Sequence, residues 1–251
     1  MPDAGVVEWV FLVFIRLLAV MGTAPLFSHR AVAMPVKIGL AGGLALLLAV
    51  AKQDSLAGFA PEQGFLLAVI NEIIVGVAIG FTSMLVFYAV EMAGGIIGSG
   101  MGFNFPSLLG PVFLDQSAVV QQFYALMAIL IFMSVNGHHA FLLALDRTLT
   151  AVPPGSFVVS GGMIEAISQT ISSVIISAVQ LSFPVMATLV LTDLALALTN
   201  RVMPQMPVFI VGMPLKVGVG LVMMVFTWSL MAPILERLLL QAPRYAIFIV
   251  R

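Results

Sequence analysis

The sequence predicts an all-α, membrane-associated protein with about six hydrophobic helical segments, some of them kinked or broken. Three observations carry this. The chain is 61% hydrophobic and 8% charged, against about 25% charged residues in an ordinary soluble domain, so its helices cannot all find a wet face. Its apolar runs approach the roughly 20 residues that a helix needs to cross hydrocarbon. The runs are separated by short clusters of proline, glycine and polar residues, most clearly at Asn200–Phe209, where Pro204 and Pro207 each remove a backbone donor and fix their own φ.

Taken in order, the apolar runs cover about 6–27, 36–51, 65–90, 117–136, 163–199 and 208–235. The first follows Met1-Pro2-Asp3-Ala4, which lacks the basic start of a signal peptide, and is interrupted by Glu8 and Arg16, so the N-terminus is expected to be retained. The second is short for a span. The fifth is too long for a simple one, and Pro184, following Gln180 and Ser182, predicts a kinked or two-part helix there. Ser28–Pro35 and Lys52–Gly64 read as polar turns, Val152-Pro153-Pro154-Gly155 stops a helix, and Pro204/Pro207 close the last hairpin. Counting lysine and arginine in the loops fails to orient a six-span arrangement, because Arg30, Lys37, Arg201 and Lys216 fall opposite Arg237, Arg244 and Arg251. Either the span count differs or some helices do not lie in lipid as ordinary spans.

Several function classes drop out. A net charge of −1 supplies no field for nucleic acid or an acidic substrate. With no cysteine there is no disulfide, thiolate nucleophile or thiolate metal site. His138 and His139 follow Asn136-Gly137 at a helix end, where adjacent rings suit a capped turn better than a chelate. No serine or threonine has a recognisable His-Asp partnership, and no phosphate-cradling loop is present, so neither an enzyme nor a cofactor is expected. The 16 methionines read mainly as adaptable packing, with Met203, Met206 and Met213 near the last turn.

Glu91–Pro106 is the densest run of unusual residues. Gly94, Gly98 and Gly102 form two overlapping small-xxx-small pairs that admit another helix at backbone distance. Five glycines in the nine residues 94–102 also cost about 1 kcal/mol each relative to alanine, so the end of the stretch is expected to unwind. It is read as a glycine-rich element at or entering a pore, with ordinary close helix packing as the other reading. Arg16, Glu72, Glu91 and Asp193 sit in or beside apolar runs, where an unpaired charge is costly. Being scattered, with no second carboxylate at helical spacing, they fit interhelical ion pairs or partner contacts better than a proton or ion relay.

In order and spacing these features resemble the FliR/SctT family of type III export-gate proteins. The resemblance rests on Glu91–Gly94 through Gly102-Phe103, Pro111, Ser117, Asn136-Gly137-His138, Pro153-Pro154-Gly155, Arg201–Gln205 and Pro214-Leu215-Lys216, and runs to about residue 235. The Asn-Gly-His-His and Pro-Gln elements favour the flagellar branch over the virulence branch. One departure is Pro207, where the family often carries asparagine, which removes any side-chain hydrogen bond from that place in the turn.

The resemblance implies a structural and gating subunit of the flagellar export channel at the bacterial inner membrane, in the basal body. Its tilted helical hairpins would assemble with FliP-like and FliQ-like subunits, next to FlhA- and FlhB-like components, around a closed pore for unfolded flagellar proteins. It further implies one export-gate domain over 1–251, with a FliP-like portion at 1–160 and a FliQ-like hairpin at 161–240. Phe103, Phe105 and Phe113 would fill the pore as a plug, consistent with apolar rings gating by dewetting. Arg201, Pro204, Gln205, Pro207 and Lys216 are expected to form a hairpin tip where partners dock. The competing class is an independent secondary transporter or channel with Glu72, Glu91 and Asp193 as its ion path. It wants two related halves, and no convincing internal repeat is visible.

Overall fold

The computed structural model describes residues 4–25, 32–52, 64–103, 118–157, 161–205 and 208–250, and every regular element among them is helical. In chain order these are α1 (Ala4–Thr23), α2 (Met34–Ala51), α3 (Phe65–Met101), α4 (Ala118–Ser134), α5 (Gly137–Ala151), α6 (Gly161–Val202) and α7 (Val208–Val250). Five are long and apolar enough to cross a membrane, or six spans if α4 and α5 together make one. A helix is the form that satisfies every backbone donor and acceptor within one segment, which hydrocarbon demands. Hydroxyls inside the helices follow the same rule: Thr82 and Ser83 donate to the carbonyls of Ala78 and Ile79, at 2.7 and 3.0 Å.

Three helices exceed the sequence expectation. α3, α6 and α7 contain 37, 42 and 43 residues, so each runs about 55 to 65 Å at 1.5 Å per residue, against a hydrocarbon thickness of about 30 Å. α3 continues through the glycine-rich stretch, and the expected unwinding is confined to its last step. Gly102 turns at φ +93°, while the Phe103 and Gly102 amides donate to the carbonyls of Gly98 and Ser99, both at 3.1 Å. That is a Schellman ending, and it closes the orphan carbonyls of the last turn. α6 passes Pro184 as one helix rather than two.

The additional helix, α5, arises from the break at Asn136, which adopts φ 55° and ψ 33°, a left-handed conformation that asparagine tolerates better than most residues. α2 begins with Pro35 in its first turn, where a missing amide costs nothing.

The chain divides into two compact units, residues 1–86, 136–171 and 240–251 in the first, and 87–135 and 172–239 in the second. In the first, α1 packs against α2, whose buried residues Ala41, Ala45 and Ala49 repeat every four positions. In the second, Phe87 of α3 meets Phe132 of α4 edge to face, with ring centroids 5.4 Å apart. Burial is uneven: 61% of the apolar window of α3 lies inside the protein, but only 17% of that of α7.

Candidate functional site

Within the first unit, Arg16 of α1 and Glu72 of α3 are buried to 1% and 0% side-chain exposure. The Arg16 Nε donates to Glu72 Oε2 and its Nη2 to Oε1, the latter at 2.9 Å, a two-pronged pair. The outer face of the guanidinium donates to the carbonyls of Thr148 and Val152, at 3.4 and 3.1 Å. These lie at the C-terminal end of α5, where the Thr148 carbonyl already accepts the Val152 amide at 2.9 Å and the helix dipole is negative, which favours a cation. Glu72 Oε1 also accepts the Gly155 amide at 2.9 Å, and Asn71 Nδ2 donates to the Phe157 carbonyl at 3.0 Å. α3 thereby holds the strap that leaves α5, and the turn at Gly155 uses φ +75°. At the same end of α5, Lys52 Nζ meets Asp146 Oδ1 at 2.8 Å. A carboxylate engaged on both oxygens by Arg16 and a backbone amide is a poor ion carrier.

Glycines set the helix contacts in both units. In the first, Gly76 and Gly80 of α3 lie against α1. A Cβ on Gly76 would stand 2.6 Å from the Arg16 carbonyl oxygen, and one on Gly80 would overlap the Thr23 hydroxyl and lie 3.1 Å from the Ala24 amide. This pair escaped the sequence reading, although Gly76-Val-Ala-Ile-Gly80 is itself a small-xxx-small pattern. In the second unit, a Cβ on Gly94 would stand 2.9 Å from both the Gln121 Cα and the Val120 oxygen of α4, and one on Gly100 would stand 2.5 Å from Met186 Sδ of α6. Gly98 is buried and Gly102 half-buried.

The remaining residues singled out by sequence scatter over the second unit. Glu91 is half-buried and hydrogen-bonds the Gln121 side chain. Asp193 of α6 receives Lys216 of α7 at 2.8 Å, on a face exposed in the single chain rather than buried. Lys216 therefore lies within α7, and not at the hairpin tip where the sequence placed it. Arg201 occupies the last turn of α6, Pro204 and Gln205 form the exposed turn beyond it, and Pro207 lies outside the described residues.

Phe103 lines an apolar cleft of about 450 Å³ with Val119, Val120, Phe123, Leu221, Met224 and Val225. Phe105 and Phe113 lie outside the described residues. The His138 and His139 rings approach to 3.0 Å between Nε2 and Nδ1. No group of three or more His, Asp or Glu suited to a metal occurs among the described residues.

Long apolar helices, glycine-mediated backbone approach and ion pairs spent on holding helix ends define an integral membrane protein built for packing. Residues 7–242 match the family described as bacterial export proteins, family 1, and the chain belongs to this family, that of FliR. It is 33% identical to the flagellar biosynthetic protein FliR of Escherichia coli K12, over 92% of this chain and 89% of the relative. It is 34% identical to FliR of Bacillus subtilis strain 168, over 87% and 85%, and 32% identical to that of Pectobacterium carotovorum, over 92% and 90%.

Proposed function

We propose that this chain is a structural and gating subunit of the flagellar type III export channel, placed in the bacterial inner membrane at the basal body. The family match across nearly the whole chain, to relatives named for flagellar biosynthesis, is the observation that carries the reading. The fold supplies physical support. α7 and the distal half of α6 leave Val190, Leu191, Leu194, Leu198, Ile210 and Val225 exposed in the single chain, a surface suited to neighbouring helices as well as to lipid.

In this reading FliP-like and FliQ-like subunits complete the channel, with FlhA- and FlhB-like components beside it and unfolded flagellar proteins as cargo. Residues 1–160 take the FliP-like role and 161–240 the FliQ-like hairpin. The chain works without catalysis, by packing and by closing. An ion-carrying transporter is less well supported, since Glu72 is committed to Arg16 and Gly155.

Isolation of the tagged chain from its native membrane, with the co-purifying proteins identified by mass spectrometry, tests the proposal. Gate subunits in the eluate and loss of motility on deletion are expected. A chain recovered alone, with motility intact in the deletion strain, overturns it.

A further inference from the structure

We infer that Asp193, held by Lys216 on the open face of the α6–α7 hairpin, is a docking contact for a neighbouring membrane helix that presents an arginine or lysine at the same depth. The inference rests on the reading of the chain as one subunit of a multi-chain gate, and it names the chemistry of one contact in that gate.

Both residues belong to segments apolar enough to span a membrane, Glu165–Val202 and Ile210–Thr227. Asp193 precedes the end of α6 at Val202 by nine residues, about 14 Å of helix, so the pair stands well away from the turn. Around it the exposed side chains are apolar: Val190, Leu194, Val211 and Leu215. Lys216 Nζ lies 2.8 Å from Oδ1 and 2.9 Å from Oδ2 and so occupies one side of the carboxylate. Lys216 itself is 20% exposed while Asp193 is 53% exposed, so the surface that the pair offers outward is acidic.

An ionised carboxylate has about four acceptor sites, and those turned away from Lys216 need partners. Lipid tails supply none, and a charge turned to them is costly. Intramembrane carboxylates therefore face protein or water. The apolar flanks argue for protein, because side chains lining a wet path would themselves be polar. An apolar partner would bury the open oxygens unsatisfied, and an acidic one would repel them. A basic side chain from a neighbour completes the site. The contrast with Glu72 is direct: that carboxylate is closed off within its own unit by Arg16 and Gly155, whereas Asp193 is open.

The test uses the full chain in its native membrane. In Asp193→Lys combined with Lys216→Asp the internal ion pair is kept but its outward sign is reversed, and Asp193→Asn removes the charge alone. Both variants are expected to lower co-purification of gate subunits by about thirtyfold or more at equal chain level. A Lys or Arg to Glu change in one partner is expected to restore recovery with the swapped chain and not with the parent.

Full partner recovery by the swapped chain overturns the inference and leaves the pair as a staple within the hairpin. Full recovery by Asp193→Asn, together with labelling of an Asp193→Cys chain by a membrane-impermeant thiol reagent, overturns it in favour of a water-facing residue. A parent chain that brings down no gate subunit overturns the gate reading itself, and this inference with it.

Discussion

Arg16 and Glu72, separated by 56 positions in sequence, form a two-pronged ion pair closed to solvent, and between them they hold the carbonyl of Val152 and the amide of Gly155. The pair is thus a four-way joint between α1, α3, the end of α5 and the strap that follows. Each charge has been taken out of water, and the cost is offset only while all the partners are in place.

Removing one member is therefore worse than removing both. Arg16→Met or Glu72→Leu is expected to cost about 3–5 kcal/mol by leaving an unpaired buried charge. The double variant Arg16→Met/Glu72→Leu is expected to recover part of that loss and not all of it. The carbonyl of Val152 and the amide of Gly155 then stay unsatisfied, at about 1–3 kcal/mol each. Thermal unfolding of the three purified variants in detergent measures this. A double variant no more stable than the worse single one would contradict it.

Glycines divide into two kinds by what a methyl group would meet. Gly94→Ala drives a Cβ into the backbone of Gln121 and Val120, and Gly80→Ala drives one into Thr23, while Gly39 and Gly43 of α2 have nothing within 4 Å. The first two variants are expected to lose about 1–3 kcal/mol. Gly39→Ala and Gly43→Ala are expected to gain about 0.5–1 kcal/mol from restored helix propensity. Equal responses from the two sets, in melting or in membrane accumulation, would show that the α3 contacts are loose.

The elements legible in the sequence are those whose cause is local. Pro153-Pro154-Gly155, Pro204 and Pro35 act on their own backbone, so the helix ends near Ala151 and Val202 and the start near Met34 follow from composition. Pairings are not local. Arg16, Glu72, Glu91 and Asp193 are recognisable as charges that need partners, but helices that are apolar on all sides carry no face signal to say which neighbour each one meets. The glycine-rich end of α3 is legible only in part for a related reason. Propensity predicts unwinding at the end of the stretch, and the helix does end at Gly102, whereas up to Met101 contacts of Gly94 and Gly100 with Val120, Gln121 and Met186 replace what the missing side chains forgo. α5 is not legible as an apolar run ahead of the helix stop at Val152, because Asp146, Arg147, Thr148 and Thr150 dilute its apolarity.

Asn136 separates α4 from α5 through its backbone alone, since its side chain makes no capping hydrogen bond. Asn136→Gly is therefore expected to preserve the break at little cost, and Asn136→Ala to be about 1 kcal/mol less stable than the glycine variant, because alanine carries a Cβ into the left-handed region. Comparison of the two melting temperatures checks the order. An alanine variant as stable as the glycine variant would place the cause of the break elsewhere.

Phe103 gives the gating reading its most direct handle. It follows the Schellman ending of α3 and stands half-buried against an apolar cleft with Phe123 and Leu221, while Phe105 and Phe113 follow within the next ten positions of the sequence. If these rings close a dry constriction, Ala at all three widens and wets it, because dewetting depends on bulk and apolarity together. The triple variant is then expected to assemble with its partners and to let small ions cross the resting membrane, seen as a proton leak and slowed growth on expression. Phe103→Leu, which keeps the position apolar and nearly as bulky, is expected to stay tight. A triple alanine variant that remains tight, assembles and supports motility would assign the three rings to packing and move the closure of the channel to another part of the gate.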